Sequence, residues 1–229
     1  MIKDIVFATA NEHKMIEIRE ILADLGVPVR SMKEVGIDPV INENGGTYEE
    51  NAIIKARAVH ELLPESLILA DDSGLEVDAL GKEPGVYSSR WLGEDTSYDV
   101  KNAEIIRRLE GLRGSERSAR FRCAIAAVFP DGTEAMADGR IEGEIGFEQA
   151  GANGFGYDPI FYLPSRGVTT AQLPPEEKNK ISHRGRALEE IKPLIMRWIS
   201  ENIKREHKAR TFDVGHKDFS VMSSFAIYL

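Results

Sequence analysis

The chain has 229 residues, 42% of them hydrophobic and 29% charged, with a net charge of −9 and one cysteine. That acidic balance argues against nonspecific binding to DNA or RNA, which depends on neutralising many phosphates, and no apolar run approaches the roughly 18 residues of a membrane span. Cys123 alone forms no intramolecular disulfide, and with no signal-peptide pattern at the N-terminus a cytoplasmic, reducing compartment is expected.

The first residues, through Ala8, read as a strand. A polar loop, Thr9 to Lys14, leads into a helical stripe at Ile18, Ile21, Leu22 and Leu25 that Gly26 and Pro28 end. Strand, polar loop and helix aim backbone N–H groups at an anion, with Asn11 as a plausible cap and Lys14 near the helix start. The loop lacks the spacing of a P-loop. Glu43 falls in a flexible turn, Asn42 to Gly46, where a surface role is the default. Thr47 and Glu50 have capping-box spacing ahead of a helix running to about Leu63, with Ala52, Ala56, Val59 and Leu63 on its apolar face and Lys55 expected as a solvated charge.

Ser66 to Leu69 reads as a short buried strand closed by Ala70-Asp71-Asp72, with Ser73-Gly74 as the turn that ends it. A surface turn accounts for those residue types. Two adjacent carboxylates nevertheless resist joint ionisation unless a cation shares the site, and Mg²⁺, which takes oxygen ligands and keeps several waters, suits them. Ala119 to Ile145 alternates as a long hairpin, with Phe121, Cys123, Ile125 and Ala127 on one face and Pro130-Asp131-Gly132 as its turn, so a mixed sheet is expected. Cys123 reads as a small buried hydrophobe.

Gly151 to Pro159 carries three glycines and two aromatics, Phe155 and Tyr157, suited either to covering a flat ring or to returning to the core. Lys178, Lys180, His183, Arg184 and Arg186 then form a basic run, a solvated face or a phosphate- or base-binding element, ahead of a helix through Trp198 that Pro193 is expected to kink or break.

Several separated blocks, in order, resemble the family of non-standard purine nucleoside triphosphate pyrophosphatases, also called the inosine triphosphatase or Ham1-like family. They are Phe7-Ala8-Thr9-Ala10-Asn11 through Lys14, Glu49-Glu50-Asn51-Ala52 through Ala56, Ala70-Asp71-Asp72-Ser73-Gly74-Leu75, Pro84-Gly85-Val86-Tyr87-Ser88, Gly154-Phe155-Gly156-Tyr157-Asp158-Pro159 and Ile181-Ser182-His183-Arg184. The resemblance covers roughly residues 1–200, expected as the catalytic domain, and leaves 201–229 as an extension without an assigned role.

The resemblance implies an α/β fold with a mixed central sheet, flanking helices and two lobes around a nucleotide-binding cleft. It implies Mg²⁺-dependent hydrolysis of ITP, dITP and XTP to the monophosphate and pyrophosphate by a homodimer. It places Thr9, Ala10, Asn11, Glu12, His13 and Lys14 on the phosphates, Lys55 beside them as a catalytic cation, and Asp72 as the catalytic carboxylate with Ser73 next to it. Glu43, Asp71 and Asp72 match metal-site acids. Phe155, Gly156, Tyr157 and Asp158 match a base-stacking segment, and Lys178, His183 and Arg184 match residues that read the base. Ala10 stands where the family commonly has glycine. The alternatives are the same hydrolysis on other nucleotides, as in the related Maf-like family, and a nucleotide-binding protein without catalysis.

Overall fold

The computed structural model describes residues 4–217, with side chains as far as Lys204. Strands β1 (Ile5–Phe7), β2 (Val29–Ser31), β3 (Leu67–Val77), β4 (Ser118–Val128), β5 (Glu134–Ile145), β6 (Phe161–Leu163) and β7 (Val168–Thr169) form one sheet in the order β2-β1-β3-β4-β5-β6-β7. The β2, β1 and β3 pairings are parallel and the rest antiparallel, so the sheet is mixed, as expected. The helices are α1 (Glu12–Leu22), α2 (Tyr48–Leu62), α3 (Tyr98–Arg108), α4 (Pro175–Ile181) and α5 (His183–Lys217).

Local chemistry explains most boundaries. Asn11 caps α1 by accepting from the Lys14 N–H at 3.1 Å, and the helix tightens into a 3₁₀ turn that ends at Gly26 with φ of 65°. Thr47 caps α2 by accepting from the Glu50 N–H. The expected capping box is only half made, because the Glu50 carboxylate accepts from the Gly46 N–H instead. The hairpin turn closes between Phe129 and Gly132, whose φ is 78°.

One strand differs from the expectation. Ser73-Gly74 is not a turn: β3 continues through it for 11 residues and pairs with β4 from Ile68↔Val128 to Val77↔Ala119. Glycine serves here for close approach. A Cβ on Gly74 would meet the Gly85 carbonyl oxygen at 2.2 Å and the Ser88 Oγ at 2.6 Å. Gly74→Ala is therefore expected to destabilise the fold by about 1–3 kcal/mol, read as a lower urea midpoint with an unchanged slope.

Side chains alternate across a strand, and β3 uses this to join two cores. Ile68 and Ala70 pack with Val6, Ala52, Ala56, Val59 and Ala124 under α2. Leu75 and Val77, on the opposite face and further along, pack with Ile105, Phe121, Ile141, Tyr157 and Phe161. Between these halves lie Asp71 and Asp72, just past the point where β1 ends its pairing at Phe7↔Leu69.

The chain divides into a compact unit of residues 2–192 and a second beginning at Pro193. Pro193 does not end α5, which runs through it to Lys217. The interior proline costs about 3 kcal/mol, but good helix formers on both sides carry the helix on. The expected boundary at 200/201 thus falls inside a helix, and residues 218–229 of the expected extension lie outside the described residues.

Candidate active site

Beyond the end of β1 a cavity of about 410 Å³ opens, at the carboxyl end of parallel strands, where open α/β sheets place ligands. It is lined by Thr9, Ala10, Asn11 and Lys14, by Glu43, Lys55, Asp72 and Ser73, and by Phe155, Gly156, Tyr157, Asp158, Lys178, His183 and Arg184. Every one of these was singled out in the sequence. Three others were not brought to these walls: Glu12, His13 and Asp71.

Asp71 and Asp72 occupy opposite faces of β3. Asp72 shares the α2 side. Its Oδ2 accepts from Asn51 Nδ2 at 3.1 Å, its Oδ1 accepts from the Ser73 N–H at 3.0 Å, and Lys55 Nζ lies 3.7 Å from Oδ1. Burial raises the pKa of the Asp72 carboxyl, and Lys55 and Asn51 offset that only in part. Lys55 is 9% exposed, not solvated as expected, and binds Glu43 Oε2 at 2.7 Å. Burial disfavours its charge, but Asp71, Asp72 and Glu43 outweigh burial and raise its pKa.

Asp71, 1% exposed, is already matched by protein cations. Lys14 Nζ lies 2.9 Å from Oδ1 and Arg184 Nη2 3.0 Å from Oδ2. Burial would raise its pKa, but Lys14, Arg184 and Lys55 hold it well below the carboxylate range. The expected grouping of Glu43, Asp71 and Asp72 on one metal is therefore not what the backbone produces: the period of two sends neighbouring side chains to opposite faces. Among the described residues no cluster of three or more His, Cys, Asp or Glu side chains is placed to hold a metal.

The basic run divides: Lys180 and Arg186 are exposed, whereas Lys178, His183 and Arg184 are buried. Lys178, on α4, and Arg184, in the first turn of α5, are 4% and 1% exposed. Glu17, on α1, joins them: Lys178 Nζ donates to Glu17 Oε1 at 2.7 Å and Arg184 Nη1 to Oε2 at 2.6 Å. Burial opposes the Glu17 charge, but the two cations lower its pKa. Arg184 also donates to Ser73 Oγ at 3.1 Å, and Lys178 to Asp158 Oδ2 at 2.6 Å. Asp158 Oδ2 accepts from the Phe155 N–H at 2.9 Å as well, so it shapes the loop that carries the aromatic ring. Tyr157 is a core residue whose hydroxyl donates to the Ser88 carbonyl at 2.8 Å, so only the Phe155 half of the expected aromatic pair offers a broad ring face.

His183 stacks on Phe121 with ring centres 4.7 Å apart, and its buried Nδ1 has no hydrogen-bond partner among the described residues. Burial, then the Arg184 and Lys178 charges, holds its pKa well below 6.5, so the imidazole is neutral. Cys123 is buried, with its thiol pushed up to about 12 chiefly by burial, so it is inert packing. Left-handed non-glycine residues among those described are Lys82 and Leu92, not Ala10, so the alanine in the first loop imposes no backbone strain.

Sequence reasoning missed Glu17 altogether. Its signal is Lys14-x-x-Glu17, an i,i+3 pair on one face of α1, but nothing local says that this face meets α4 and α5. Asn51 lay inside a recognised block without an assigned partner, and Asp72 supplies it.

Fold and site together define an open, mixed-sheet α/β protein with a cleft of paired cations and carboxylates at the ends of its parallel strands. The Ham1 family profile matches residues 5–194, and the chain belongs to that family. It is 44% identical over 198 residues to the dITP/XTP pyrophosphatase of Caldanaerobacter subterraneus subsp. tengcongensis, across 86% of this chain and 98% of that protein. The dITP/XTP pyrophosphatase of Desulfotalea psychrophila is 44% identical over 223 residues, 96% of this chain and 97% of its own length, so residues beyond the profile have a counterpart there. The solved HAM1 protein from Coxiella burnetii superposes with a TM-score of 0.76 at 43% identity, covering 86% of this chain and 100% of that one.

Proposed function

We propose that the chain hydrolyses non-standard purine nucleoside triphosphates, ITP, dITP and XTP, to the monophosphate and pyrophosphate. The observation that carries this reading is that one cavity is lined both by Lys14, Lys55 and Asp72 and by Phe155, Lys178 and His183. The first set grips phosphates of any nucleotide; the second meets the ring.

Water attacks the α-phosphorus, the bond to the bridging oxygen breaks, and pyrophosphate leaves. Asp72, whose pKa burial raises, orients that water and takes its proton in this reading. Lys14 and Lys55 offset the charge on the departing pyrophosphate, Lys14 by exchanging part of its contact with Asp71 for phosphate oxygen. Mg²⁺ belongs to the same proposal and the donor set suits it: Glu43 and Asp72 present hard oxygens around one lysine, and burial leaves the Asp72 charge under-compensated. When bound, the ion supplies charge neutralisation for the phosphates and a more acidic water. Asp71, matched by Lys14 and Arg184, orients those cations instead.

Base selection falls to His183 more than to the Arg184 named beside it in the sequence, because Arg184 donates to Asp71, Glu17 and Ser73. His183 lines the cavity and its Nδ1 is buried, so in the tautomer protonated at Nε2 its neutral imidazole can donate to the O6 carbonyl of hypoxanthine or xanthine. An adenine amino group would face that donor unpaired. His183→Ala is expected to narrow the ITP-to-ATP ratio of kcat/KM by about two- to tenfold, the worth of one neutral hydrogen bond. An equal loss on both nucleotides would assign His183 to folding or phosphate binding.

The experiment for the reading as a whole is a panel of purine and pyrimidine triphosphates with pyrophosphate detection, with and without Mg²⁺. Preference for ITP and XTP supports it; preference for a pyrimidine would move the protein towards Maf-like chemistry, and binding without turnover would refute catalysis. A cytoplasmic homodimer is part of the same proposal and is tested by sedimentation and fractionation. Among the described residues no helix is long and apolar enough to cross a membrane.

A further inference from the structure

His13 lies inside the phosphate-loop block, yet it does not line the cavity that Thr9, Ala10, Asn11 and Lys14 line. Its imidazole stands in the exposed first turn of α1 and stacks on Phe155, with ring centres 5.6 Å apart and planes 19° from parallel. Phe155 does line the cavity. The contact therefore joins the start of α1 to the glycine loop across 142 positions of sequence. Within the loop, Gly154 and Gly156 flank the ring with φ of 73° and 69°, and the Phe155 N–H is anchored on Asp158. Lys178 Nζ and Arg184 Cζ lie 5.2 and 5.6 Å from the ring centre, buried cations that favour an aromatic face towards them.

We propose that His13 is a positioning residue for the base: it backs Phe155 from outside the cleft and holds the ring ready to stack on a purine, while making no contact with phosphate. The inference rests on the proposed reading of the cleft as a purine nucleotide site. An aromatic pair of this geometry corresponds to about two- to tenfold in affinity when it preorganises a ligand face.

The test is equilibrium binding of IMP and of inorganic tripolyphosphate to the wild-type chain and to His13→Ala, His13→Phe and His13→Lys, which needs no turnover. His13→Ala is expected to weaken IMP two- to tenfold and leave tripolyphosphate unchanged. His13→Phe restores IMP binding because it keeps the stack, and His13→Lys does not. Rescue by lysine rather than phenylalanine, equal weakening of both ligands, or no change in IMP binding would overturn the proposal, as would a wild-type chain that binds tripolyphosphate but not IMP. A wild-type chain that binds IMP with the expected variant pattern but cleaves no ITP would refute the catalytic reading and leave the role of His13 standing. Because His13 is exposed, thermal melts of all three variants are expected to match the wild type, and a variant that melts earlier is replaced by His13→Gln, which removes the aromatic stack with a polar side chain and must weaken IMP alone.

Discussion

Asp72→Asn is expected to lower kcat/KM on ITP by about two orders of magnitude or more while leaving the fold intact. The carboxylate lies on the α2 face of β3, accepts from Asn51 and the Ser73 N–H, and faces the cavity with Lys55 beside it. Asparagine keeps the shape and an acceptor for Asn51 but takes no proton from water. The stability sign runs opposite to the activity sign. Burial raises the folded pKa of Asp72 above its unfolded value, so its ionised form costs stability above that pKa and the cost is absent below the unfolded one. The variant is therefore expected to be as stable as the wild type at neutral pH, or more so. Steady-state kinetics across pH with urea melts checks both; near-normal turnover at saturating Mg²⁺ would remove Asp72 from the chemistry.

The second large effect is on stability. Arg184→Met is expected to cost about 3–5 kcal/mol, the usual result of removing one member of a buried ion network. The guanidinium touches Asp71, Glu17 and Ser73 and is 1% exposed. Without it the two buried carboxylates keep Lys14 and Lys178 as their direct ion-pair partners. The loss has a pH signature. Asp71 and Glu17 have lowered folded pKa values, so their stabilisation is complete above the unfolded values near 4 and fades as pH falls through the folded ones. The gap between wild type and variant should narrow below about pH 4. Arg186→Met, two residues along on an exposed site, serves as control and should fall within about 0.5 kcal/mol of wild type. An equally mild Arg184→Met would mean that the network carries little of the fold. It also separates Arg184 from His183: removing both at once would mix base selection with unfolding.

Periodicity and caps made much of this molecule legible in its sequence. The stripe of α1, the Thr47 cap of α2, the β4–β5 hairpin and the inert Cys123 all follow from patterns a few residues long, because the forces that set them act within one turn or one strand pair. The residues that line the cleft were legible too, block by block, because each block carries side chains of the types that phosphate grip and ring recognition would demand. Contacts between blocks were not. That Ser73-Gly74 continues a strand depends on Gly85 and Ser88 closing over Gly74. That Asp71 and Asp72 serve different partners depends on their pointing to opposite faces once β3 is extended. That Lys55 and Lys178 are buried depends on acids, Glu43 and Glu17, from other elements. A charge in sequence is by default solvated, because burial is costly without a partner, and only tertiary structure brings the partner. The sequence by itself thus determined which side chains the cleft contains; the tertiary fold decided that Asp72 and not Asp71 lines it, that Lys178 and Arg184 are held by Glu17 from α1, and that His13 stacks on Phe155 without lining the cavity.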